Sequence, residues 1–141
     1  MRLELQVCSL ELAKKLKELG VLQYSLFYWW GKMEGSGSPS SPYKEVDGFL
    51  LLGNTEINQI TRGSVGVYGI EDKSHCFDKK YSAFTSSELG EIFNDNNIRS
   101  GQYNDDKWVC YNEDHTEHAD TEVNARAKML VYLLKNKLIF L

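Results

Sequence analysis

From Ala119 onward, Val123, Ala127, Leu130, Val131, Leu134 and Leu138 recur at intervals of three and four residues. That spacing lines one face of a helix, so it predicts a long C-terminal helix that has to be covered by another layer. Charge points the same way. Residues 113–122 hold five acids (Glu113, Asp114, Glu117, Asp120, Glu122) and no Lys or Arg, whereas residues 123–141 hold Arg126, Lys128, Lys135 and Lys137 and no acid. Acids at a helix start and bases towards its end complement the macrodipole, each worth about 0.3–1 kcal/mol at an exposed site. The acidic run therefore has a structural reason before any catalytic one.

A second helix is expected over Leu10–Leu19. Ser9 is suited to cap it, Leu12, Ala13, Leu16 and Leu19 follow the helical period, and Gly20 supplies the stop. Thr85-Ser86-Ser87-Glu88 has the capping-box pattern and predicts a short helix to about Asn94. Between these lie strand signals: the aromatic run Gln23–Trp30, then Asp47–Leu52, Ser64–Ile70 and Lys107–Asn112. Eight of the 11 glycines and both prolines fall within residues 31–69, and the stretch Gly31–Pro42 reads as a flexible Gly/Ser/Pro loop. The order of elements lacks the alternation of a doubly wound parallel sheet. It predicts an α+β fold, a largely antiparallel sheet covered by helices with a Gly-rich irregular middle, formed as a single domain over residues 1–141.

At 141 residues and 42% apolar, a chain can build one core without metal or disulfide staples. A formal charge of −4 has the wrong sign for a general phosphate-neutralising surface, so nucleic acid is a disfavoured partner, with Arg62, Lys73, Lys79, Lys80, Arg99 and Arg126 as the bases that would have to serve it. The charged residues within Met1–Gly20 do not form a signal peptide, and apolar runs of about half a dozen residues fall short of the roughly 20 a membrane span needs. Cys8, Cys76 and Cys110 are odd in number and far apart, as expected of reduced thiols in a cytoplasmic protein.

Two site readings follow. Cys110, His115 and His118 carry thiol and imidazole groups that ligate transition metals, with Asp114, Glu117 and Asp120 between them. They are the candidate metal set and, with His75 or Cys76, the basis of an alternative reading as a metal-dependent or thiol enzyme. The spacing matches no common structural zinc pattern, and a small buried Cys110 beside solvated loop histidines is the commoner arrangement for such residues. The second reading is a binding surface on the aromatic strand, at Tyr28, Trp29 and Trp30. No dinucleotide fingerprint, P-loop or nucleophile elbow is present, and no cofactor is expected.

Four stretches, Ser9–Gly20, Ser25–Trp29, Tyr81–Glu91 and Ala119–Leu134, resemble small uncharacterised proteins encoded by bacteriophages and prophages, some described as having an α-β-α (ABA) sandwich-like domain. The resemblance implies a mobile-element origin and a bacterial cytoplasmic setting, and it brings no catalytic residue with it. The expectation is a non-enzymatic accessory or protein-interaction domain, with a protein partner or a second copy of itself.

Overall fold

The computed structural model describes residues 3–34, 39–40, 44–54, 76–93 and 97–141. A turn of 3-10 helix precedes α1 (Leu10–Glu18), β1 (Phe27–Glu34), β2 (Lys44–Asn54), β3 (Cys76–Ser82), α2 (Ser86–Phe93), β4 (Arg99–Asn104), β5 (Lys107–Tyr111), β6 (Thr116–Ala119) and α3 (Glu122–Lys135). The fold is α+β. Its strands form two three-stranded antiparallel sheets, in the orders β2-β1-β3 and β4-β5-β6.

Helix α3 organises the packing. One side lies across all three strands of the second sheet, and the helix also packs against α1 and α2. Val123, Ala125, Ala127, Met129, Leu130, Val131 and Leu133 are buried, which wraps apolar contact around most of the helix instead of one stripe. With Leu12, Leu16, Phe84, Leu89, Phe93 and Cys110 they make the main core. The helix is shorter than its periodicity predicts. Its start is set by Thr121, whose hydroxyl accepts from Asn124 N at 3.2 Å, and residues 116–119 instead pair with β5. Its end is set by Lys137, which takes φ 55°, while Leu138 donates back to Leu133 O at 2.8 Å. Of the five acids, Glu122 alone lies in the first turn of α3, so the dipole argument holds for it and not for Glu113, Asp114 or Glu117.

The expected caps of the other helices form. Ser9 accepts from Leu12 N at 3.4 Å, and Gly20 at φ 89° closes α1 with Val21 N donating to Leu16 O at 3.0 Å. Thr85 Oγ1 accepts from Glu88 N at 3.3 Å while Glu88 Oε1 accepts from Thr85 N at 2.9 Å. Strand β1 begins at Phe27, not Gln23, because residues 23–25 are held by side-chain bonds: Ser82 N donates to Gln23 Oε1 at 2.8 Å and Ser25 Oγ to Ala83 O at 3.1 Å. The same strand continues through Gly31–Glu34, the first four residues of the stretch read as a loop, while residues 35–38 and 41–43 lie outside the described residues, as does Ser64–Ile70. Strand β3 and the two polar strands β4 and β6 have no counterpart among the strands expected from the sequence.

Candidate functional site

The proposed metal ligands are set apart by the alternation of a strand. In the β5-β6 pair Cys110 faces Glu117 and Val109 faces His118, so Cys110 and His118 project from opposite faces of the sheet. Cys110 is fully buried, and burial pushes its thiol up to about 11 from an ordinary value of 9.0, with the charge of Arg126 opposing the rise. Burial shields the thiol from solution and disfavours the thiolate that nucleophilic attack requires. His115 stacks on Tyr132 of α3, with ring centroids 3.4 Å apart and planes 6° from parallel, and its Nε2 lies 3.0 Å from Glu117 Oε1. His118 turns outward to Tyr103, edge to face at 5.9 Å. Among the described residues no three His, Cys, Asp or Glu side chains group as a metal site. Cys76 opens β3, and His75 lies outside the described residues.

The aromatic strand is not an open surface either. Tyr28 and Trp30 are buried and meet edge to face with centroids 5.9 Å apart, and half-buried Trp29 packs on the opposite side against the main core. The strand alternates as expected, and the side chains of Tyr28, Trp29 and Trp30 are covered on both faces.

Arg126, a candidate for phosphate contact, is bound internally. Its Nη1 donates to Ser86 O at 3.0 Å, its Nε and Nη2 to Ser100 Oγ at 3.3 and 3.1 Å, and Nη2 lies 3.5 Å from Glu122 Oε1. It thereby ties α2 and β4 to α3. Arg99 is exposed on β4, and Arg62 and Lys73 lie outside the described residues.

Two grooves remain. One, of about 710 Å3, runs between α1, α3 and the β5-β6 edge and includes Lys15, Lys107, Lys128 and Lys135 together with Glu11, Glu117 and Asp120. Interleaving leaves it little net charge. Lys107 Nζ lies 3.3 Å from Asp120 Oδ1, whose hydrogen bond and charge raise the ammonium's pKa, and Lys128 Nζ donates to His118 O at 2.8 Å. The groove's polar groups largely answer one another.

The other groove, of about 760 Å3, is lined by residues 21–24, by α2 and by residues 138–141. Its walls expose apolar side chains: Leu22 is 74% exposed, Tyr24 80% and Phe140 87%, with Leu138 and Leu141 also more than half exposed. Leu26, 54% exposed, follows on the same segment. Its charged lining residues are Glu88 and Glu91, with no base. The segment carrying Leu22, Tyr24 and Leu26 is pinned. Glu88 accepts from Ser25 Oγ at 3.0 Å and from Leu26 N at 3.3 Å, and Tyr28 OH donates to Gln23 O at 2.9 Å. The sequence reading missed this surface because it placed residues 23–26 in a strand and Leu138 on a helix face. The available signal was two short apolar runs, each just beyond a helix stop at Gly20 or Lys137.

No family model, curated protein or solved structure matches the chain.

Proposed function

We propose that this chain is a non-enzymatic accessory domain of phage or prophage origin, which acts in the bacterial cytoplasm by docking an apolar protein segment in the groove between residues 21–26, α2 and residues 138–141. The observation that carries the docking role is the set of five exposed apolar side chains that line this groove, Leu22, Tyr24, Leu138, Phe140 and Leu141. Contiguous apolar patches larger than about a few hundred Å2 are rare on monomers, so large exposed apolar side chains gathered around one groove mark an interaction site. With Glu88 and Glu91 as the charged side chains among the described residues that line the groove, the segment that fits carries Lys or Arg beside its apolar anchors.

The origin rests on the likeness of Ser9–Gly20 and Ala119–Leu134 to small phage proteins. The compartment is supported by two free, buried thiols, Cys8 and Cys110. Among the described residues no helix is long and apolar enough to cross a membrane.

Panning the immobilised chain against random peptides tests the docking role. Selected sequences should combine apolar anchors with Lys or Arg, bind with Kd values of roughly 1–100 μM, and be released by Phe140→Asp. Failure to enrich any sequence whose binding depends on Leu22, Tyr24 or Phe140 overturns the reading.

A further inference from the structure

We propose that the segment docked in the apolar groove belongs to a second copy of this chain, giving a two-fold symmetric dimer in which residues 137–141 of each copy lie on the groove of the other. The inference rests on the docking reading above and names its partner. Two properties of the surface point to self-pairing. The first is extent: Leu22, Tyr24, Leu138, Phe140 and Leu141, each more than half exposed, surround one groove, an apolar centre of the kind around which a standard interface of roughly 800 Å2 per partner is built. The second is charge. A two-fold interface brings one patch against itself, so it has to be self-complementary. Here the acid and the base sit on different walls. Glu91, exposed on α2, lines the groove, whereas exposed Lys137 immediately precedes the Leu138–Leu141 wall. Neither side chain has a hydrogen-bond or ion-pair partner among the described residues. In the proposed dimer Glu91 of each copy pairs with Lys137 of the other, and Phe140, 87% exposed in the single chain, is covered.

Groove and segment are held in ways that suit this. The Leu22–Leu26 wall is fixed through Glu88 and Tyr28, so little ordering is required when the copies meet. The Leu138–Leu141 wall starts at a helix stop whose geometry is fixed by two backbone bonds, Lys137 N to Leu134 O at 3.2 Å and Leu138 N to Leu133 O at 2.8 Å.

Sedimentation equilibrium of the full chain, from about 5 μM to about 1 mM, tests the inference. The expected result is a monomer–dimer equilibrium with a Kd of roughly 10–100 μM. Phe140→Asp should weaken it at least tenfold, by the order of one or two lost interface anchors. Because Phe140 is exposed, its replacement leaves the core intact, and circular dichroism verifies that. Glu91→Lys and Lys137→Glu should each weaken the dimer by roughly tenfold through like charges, and the two together should restore it to within about threefold. A monomer throughout the range overturns the dimer, as does a dimer indifferent to Phe140→Asp or a double charge exchange that restores nothing. If the chain is monomeric yet still selects basic, apolar peptides in panning, the docking reading stands and the self-pairing falls. If it neither dimerises nor selects peptides, both fall.

Discussion

The Arg126 cluster makes a single methyl group diagnostic. A Cβ added at Gly90, in the middle of α2, would lie 2.6 Å from Arg126 Nη1. Two effects then compete. Ala in a helix interior is about 1 kcal/mol better than Gly. Displacing Nη1 breaks its 3.0 Å bond to Ser86 O, and a hydrogen bond made by a charged donor is worth about 1.5–3 kcal/mol. The remaining guanidinium contacts, to Ser100 and Glu122, oppose any easy swing of the side chain. Gly90→Ala should therefore destabilise the protein by about 0.5–2 kcal/mol, the difference between those terms. With a urea slope of about 1–3 kcal/mol per molar, the midpoint falls by several tenths of a molar or more. In an Arg126→Ala background the obstruction is gone and only the propensity gain is left, so the same substitution should stabilise by about 1 kcal/mol. The assay is a double-mutant cycle from urea unfolding followed by circular dichroism. A Gly90→Ala effect of the same sign in both backgrounds, or a coupling below about 0.5 kcal/mol, refutes the account of this cluster.

Two further predictions concern helix ends and thiols. Gly20 and Lys137 occupy equivalent positive-φ positions at the ends of α1 and α3, and a Cβ at Gly20 would touch nothing within 4 Å. Gly20→Ala should thus cost about 1 kcal/mol from backbone conformation alone and Lys137→Gly should gain up to about 1 kcal/mol, read as opposite shifts of the urea midpoint. Burial raises Cys8 to about 12 and Cys110 to about 11 from 9.0, so above pH 9 the unfolded chain releases protons that the folded chain retains. Their contribution is intact below pH 9 and declines as pH rises towards those folded values, by up to about 1.4 kcal/mol per pH unit per thiol. A Cys8→Ala, Cys110→Ala variant should show a shallower alkaline decline, and an equally steep one refutes the assignment.

Local signals that act over four or five residues were legible in the sequence. Ser9, Gly20 and the Thr85–Glu88 box do what their residue types dictate, since a cap is satisfied by the backbone beside it whatever the rest of the chain does. The C-terminal helix was legible as a helix, but its surroundings were not. Periodicity found Val123, Ala127, Leu130 and Val131, while Ala125, Met129 and Leu133 are buried too because helices and a sheet pack around α3. A hydrophobic period describes one partner, not several. Strands β4 and β6 escaped for a different reason. Their residues, such as Gln102, Asn104, Glu117 and His118, lack apolar alternation, and pairing with β5 imposes their conformation. The Cys110, His115 and His118 group illustrates the same limit at the level of a site. Closeness along the chain placed them together, and the two-residue period of β5 and β6 separates Cys110 from His118.

Glu88 joins the legible and illegible parts. As the third residue of a helical turn it completes a capping box that four letters announce, yet the same carboxylate reaches across to Ser25 and Leu26, 62 or more positions away in sequence. That reach fixes a segment whose side chains Leu22, Tyr24 and Leu26 remain in water. Pinning such a segment contributes little to the core, because those side chains stay more than half exposed in the single chain. Its physical consequence lies in association: a backbone already ordered need not be ordered on docking, a saving of about 1–2 kcal/mol for each residue so fixed. Fixed, exposed and apolar are properties that oppose one another in a surface facing only water, and they agree in a surface that faces another protein.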